Sequence, residues 1–122
     1  MPRIEDIASF IRSSFRSIWA LELLLHVRGR AANPVSQEQL VLDLRASEVI
    51  ISSSVTDLVA AGLVLVEKDG RIRYAPASDE VSTIVGEIEA LYRSRPDAVR
   101  RVIVMGTGNL AAFADAFRLR RD

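Results

Sequence analysis

Cysteine is absent from this chain, which excludes disulfides, thiolate zinc sites and a cysteine nucleophile together. Histidine occurs once, as His26, too few for a histidine-based metal site or a catalytic triad. Long apolar runs are missing as well. The most apolar window, Ile18 to Val27, is about half a membrane span and carries Glu22 and His26. Glu5 and Asp6 do not fit the basic, apolar start of a secretory signal. Neither charge sign is in excess: sixteen basic and sixteen acidic residues give a formal net charge of zero, so no global positive field draws the chain to nucleic acid. These absences predict a cytoplasmic protein with no metal, no cofactor, no membrane contact and no enzymatic site.

What is there is enough for a core. A chain of 122 residues with 49% apolar residues predicts one domain over residues 1–122, burying about two-thirds of the surface of the extended chain. Ile4, Ile7, Ile11, Phe15 and Ile18 recur at helical spacing, predicting one helix, or two joined near Ser13-Ser14, over the first 28 residues. Ile18 to Leu25 is apolar almost all round, as in a helix covered on several sides. Ser36-Gln37-Glu38-Gln39 reads as a capping box, opening a second helix to about Leu44 that buries Leu40, Val41 and Leu44. Ser47 caps a third, with Ile51, Val55, Leu58 and Val59 inward and Gly62 as its stop.

Leu63 to Lys68, Asp69-Gly70 and Arg71 to Pro76 then read as a β-hairpin. A two-residue turn pairs Lys68 with Arg71, Glu67 with Ile72 and Val66 with Arg73, and sets Lys68, Arg71 and Arg73 on one face. Ser78 caps another helix, striped by Val81, Ile84, Val85, Ile88, Leu91 and Tyr92; Pro96 starts the next, and Gly106-Thr107-Gly108 separates it from a last one striped by Leu110, Phe113 and Phe117. The fold class is thus mainly α with a small β-hairpin (α+β).

Helix, turn, helix and hairpin in this order, with Leu58-Val59-Ala60-Ala61-Gly62-Leu63-Val64 leading into Asp69-Gly70, resembles the winged helix-turn-helix fold of MarR-like bacterial transcriptional regulators. The resemblance covers about residues 16–76, with extra N- and C-terminal helices and a helical extension over about 78–122. It implies a DNA-binding regulator of transcription, a homodimer built through terminal helices, double-stranded DNA as partner, and a recognition helix from Ser47 to Ala61. Ser47, Ile50, Ser53 and Ser54 are then its DNA-facing residues, and Arg45, Lys68, Arg71 and Arg73 the phosphate contacts of turn and wing.

The outward positions of that helix, Glu48, Val49, Ile50, Ser53, Ser54 and Asp57, include no Arg, Lys, Asn or Gln. A winged-helix module that binds a protein through Val49 and Ile50, without reading DNA, is therefore the alternative. Beyond the hairpin, Asp79 to Tyr92 sums to −4 and Arg93 to Asp122 to +4, so the two stretches can pair within or between subunits.

Two motifs look like chemistry. Gly106-Thr107-Gly108-Asn109-Leu110-Ala111-Ala112 after an apolar run matches a dinucleotide fingerprint, but the chain has no room after it for the second strand of a βαβ unit. His26, beside apolar residues, reads as a core-edge side chain.

Overall fold

The computed structural model describes residues 4–105, apart from the Ile4 side chain, and they form six helices and one two-stranded antiparallel sheet. The chain divides into two compact units, residues 15–77 and residues 1–14 with 78–122. The expected helix after Gly106-Thr107-Gly108, and the dinucleotide-like motif, lie outside the described residues.

Residues 15–77 are the winged helix-turn-helix. Helix α2 (Ile18–Arg28) starts at Ser17, whose hydroxyl accepts the Ala20 N–H at 3.3 Å. It buries Ala20, Leu21, Leu23, Leu24 and Val27, which explains why its sequence is apolar nearly all round. Helix α3 (Gln37–Leu44) is capped by Ser36 and α4 (Glu48–Ala60) by Ser47, whose side chains accept the Gln39 and Ile50 N–H groups at 3.1 Å each. The capping box closes on one side only. The Gln39 amide turns forward and donates to Asp43 Oδ1 at 2.7 Å instead of reaching back to Ser36. Leu40 is the fully buried residue of α3, with Val41 and Leu44 half-buried.

Both helices end in a left-handed residue, but only one of these is glycine. After α4, Gly62 has φ +75°, its N–H bonds to Val59 O, and the Leu63 N–H bonds to Leu58 O, which turns the chain sharply into the hairpin. A Cβ at Gly62 would also meet the Ala77 Cβ at 3.3 Å. After α3 the same position is held by Arg45, at φ 54°.

The hairpin, β1 (Val64–Val66) with β2 (Ile72–Tyr74), differs by one residue from the register expected of a two-residue turn. Val64 faces Tyr74, Leu65 faces Arg73 and Val66 faces Ile72. Glu67 donates its N–H to Arg71 O at 2.8 Å, and the Gly70 N–H bonds to Glu67 O at 2.9 Å. Lys68, Asp69 and Gly70 thus form a three-residue loop, with Gly70 left-handed at φ 89°. The sheet also has a contact the sequence does not announce: Val35, just before the α3 cap, exchanges both backbone hydrogen bonds with Ile72, at 2.9 and 2.7 Å. Val35, Leu40, Ile51, Leu58, Leu63, Val64 and Ile72 are all buried.

The other unit contains α1 (Ile4–Ser14), α5 (Asp79–Ser94) and α6 (Pro96–Met105). The break between α1 and α2 falls after Ser14, where the joined helices were expected to part. Ser78 caps α5 through the Val81 N–H at 3.2 Å, and Pro96 occupies the first position of α6, where a missing N–H costs nothing. Ile84, Val85, Ile88 and Leu91 of α5 are buried, as are Ala98, Val99 and Val102 of α6 and Ile7, Ala8 and Ile11 of α1. Among the described residues no helix is long and apolar enough to cross a membrane.

Candidate nucleic-acid interface

Helix α4 sets the geometry. Ile51, Ser54, Val55 and Leu58 follow one another at three- and four-residue steps and form its buried stripe. Helical periodicity then turns Val49, Ser53, Thr56 and Ala60 directly outward, with Ser52 on one flank and Ile50 and Asp57 on the other. Ser54, expected to face DNA, is instead 3% exposed. It lies within the apolar stripe, three residues after Ile51, so its hydroxyl does not reach the outer surface. Thr56 on the outward face and Ser52 on its flank, both absent from the expected reading face, are exposed, and the same spacing rule would have found them. Thr56 Oγ donates to Ser52 O at 3.1 Å, leaving its lone pairs and methyl group outward.

Ser47 is exposed, its oxygen engaged as the α4 cap, its proton still available to an acceptor. Ser53 is exposed, whereas Ile50 is half-buried and Val49 beside it is 77% exposed. Arg45 is exposed in the turn between α3 and α4. Lys68 is exposed in the hairpin loop rather than on a strand face.

The one-residue register difference decides what the wing arginines touch. Arg71 and Arg73 share a face with Leu65 and Glu67. The Arg73 Nε lies 3.3 Å from Glu67 Oε1, a diagonal cross-strand pair, and the Arg71 Nε lies 2.8 Å from Asp69 Oδ2. The Arg71 backbone N–H and side chain together hold the Asp69 carboxyl below its ordinary value. Both acids engage Nε, so the terminal nitrogens of each guanidinium keep donors for another partner. Glu67, Lys68, Asp69, Arg71 and Arg73 sum to +1, less than the +3 that the three cations give alone.

Arg16, just before α2, was not among the expected site residues. Its Nε lies 4.0 Å from Asp57 Oδ1 and its side chain is 83% exposed, so it offsets the one acid on that flank of α4. At the other end of the helix, among the described residues, no cation stands against the acids. Gln37, Glu38, Val41, Glu48 and Ser52 line a cleft of about 340 Å³ between α3 and α4, and neither Glu38 nor Glu48 forms an ion pair among the described residues.

His26 is part of the scaffold. Its Nε2 lies 2.9 Å from Asp43 Oδ2, tying the end of α2 to α3. With the Gln39 amide on the other oxygen and His26 beside it, the Asp43 carboxyl is held below its ordinary value. Among the described residues no three His, Cys, Asp or Glu side chains come together to hold a metal. The chain matches no protein-family model and no curated protein.

Proposed function

We propose that this protein is a DNA-binding regulator of transcription that acts as a winged-helix homodimer, similar in plan to MarR-like regulators. The observation that carries the reading is the outward face of α4. Its Ser53 and Thr56 hydroxyls are exposed, with Ser52 on the flank, on a helix that follows α3 across a tight turn and precedes a hairpin bearing two arginines. Small hydroxyl side chains and a valine permit close approach of the helix to a major groove, where Ser and Thr bond base edges and apolar groups meet thymine methyls. Arg45, Lys68, Arg71 and Arg73 supply the phosphate contacts. Val104 and Met105, exposed at 75% and 68% on α6, support dimer contacts through the terminal helices.

A second reading rests on a different observation. Val49 and Leu42, exposed at 77% and 70%, stand on α4 and α3, whose shared cleft carries Glu38 and Glu48. Such a surface suits a protein partner that brings apolar and basic side chains, and it disfavours phosphate.

Fluorescence anisotropy of the full chain with labelled fragments of its own genome, beginning upstream of its own gene and run at two salt concentrations, tests the proposal. Saturable binding that prefers one fragment and weakens steeply with salt supports the regulator. Absence of binding at low salt removes it in favour of the protein-partner reading.

A further inference from the structure

Three of the seven cations between residues 15 and 77 lie against acids of the same unit: Arg71 with Asp69, Arg73 with Glu67 and Arg16 toward Asp57. The arginines of the other unit are arranged differently. Arg93, Arg95, Arg100 and Arg101 fall between the last turn of α5 and the middle of α6, and all four are exposed. From Arg93 to Arg101 the only acid is Asp97, so the segment sums to +3.

The sequence admits neutralisation of these arginines by the acidic stretch of α5. Among the described residues one of these arginines pairs with that stretch, Arg93 with Glu89 at 3.8 Å. Arg95 and Arg101 form no ion pair among the described residues, although Asp97 precedes Arg101 by four positions, a spacing at which helical pairs form. Arg100 turns to Tyr92 instead: its Nη2 lies 3.4 Å from the phenol oxygen and its Cζ 5.7 Å from the ring centroid. That contact holds the α6 cation beside Tyr92 in the last turn of α5 without cancelling its charge.

A solvated helix face ordinarily interleaves acids with bases, which removes repulsion. Here four exposed arginines fall within nine residues at the α5–α6 turn, with Glu89 beside one of them and Asp97 the one acid between them, an excess of positive charge that a closely spaced row of anions complements. Duplex DNA offers one negative charge per about 1.7 Å of helix axis, and the guanidinium fork matches phosphate oxygens two at a time.

We propose that the α5–α6 corner is a second contact surface for double-stranded DNA, on which Arg95, Arg100 and Arg101 bind backbone phosphates without reading sequence. The surface adds to the proposed function but does not depend on α4 reading bases.

The test is anisotropy of the full chain with a labelled 30-base-pair duplex of arbitrary sequence, titrated with salt, for wild type and three double variants. Arg95→Gln with Arg101→Gln should lower affinity about tenfold at low salt and reduce the salt slope by about 1.8, because each lost phosphate contact contributes about 0.9. Arg95→Lys with Arg101→Lys should keep the slope, showing that charge and not folding is at issue. Wild-type affinity and slope in the glutamine variant overturn the corner. Binding lost only in Arg71→Ala with Arg73→Ala also overturns it while sparing the wing, whereas binding lost only in the glutamine variant upholds the corner against the wing. A wild type that binds an acidic peptide but no duplex at low salt overturns both.

Discussion

Asp69 holds Arg71 twice, accepting its backbone N–H on Oδ1 at 3.0 Å and its Nε–H on Oδ2 at 2.8 Å. One carboxylate therefore fixes both the hairpin loop and a wing cation that, in the DNA-binding reading, belongs to a phosphate. Asp69→Asn keeps an oxygen for the backbone N–H and removes the charge, raising the sum over Glu67 to Arg73 from +1 to +2. Affinity for duplex DNA should rise about two- to fivefold, with a steeper salt dependence. A variant that binds no better than wild type, by anisotropy at low salt, would remove the wing from the interface.

The complementary change is Arg71→Ala with Arg73→Ala. Two phosphate contacts fewer should flatten the salt slope by about 1.8 and weaken binding to all sequences alike. Loss confined to one preferred fragment would instead assign these arginines to base reading.

Arg45 pays for its position in conformation. At φ 54° its Cβ crowds the following carbonyl, a strain of about 1 kcal/mol that glycine avoids. Arg45→Gly should raise unfolding stability by about 1 kcal/mol in a denaturant titration while reducing DNA affinity through the lost cation. Greater stability with unchanged DNA binding would leave Arg45 with no part in the interface.

These residues show how far the sequence reaches. Ser36, Ser47 and Ser78 caps, the apolar stripes and Asp69-Gly70 place the described helices and the hairpin, because each is a local signal with a local cause. The hairpin register is not local: a turn containing Asp-Gly fits two or three residues, and the choice moves Glu67 onto the arginine face. The Val35 to Ile72 bridge joins residues 37 positions apart and leaves no periodic trace. Arg45 in a left-handed turn is invisible where glycine would have announced it. Ser54 was legible, since its spacing from Ile51 and Leu58 places it inside despite its polar side chain.

Two carboxylates contribute to the acid side of the stability curve. Asp43, bonded by Gln39 and His26, and Asp69, bonded by Arg71, are both held below their ordinary value of 3.8. A depressed folded value means the stabilisation is present above pH 3.8 and is lost as pH falls through the folded value. Asp43→Asn removes the titrating group and should make unfolding stability less pH-dependent below that point. An acid limb identical to wild type, followed by circular dichroism in urea at several pH values, would show that the Asp43 network contributes nothing to folding.

Ser53 and Ser54 are neighbours in sequence with opposite surroundings, and that contrast isolates the reading face from the core. Ser54→Ala places a better helix former with no hydroxyl among Ile51, Val55 and Leu58, so stability should rise by about 0.5 kcal/mol with DNA binding unchanged. Ser53→Ala leaves stability within about 0.5 kcal/mol, because the side chain is exposed, but should reduce preference among DNA fragments. Denaturant titration and anisotropy on the same two proteins separate these effects. If Ser54→Ala alters fragment preference and Ser53→Ala does not, α4 does not present the outward face of Val49, Ser53, Thr56 and Ala60 to DNA, and the proposed docking of this helix in the major groove falls with it.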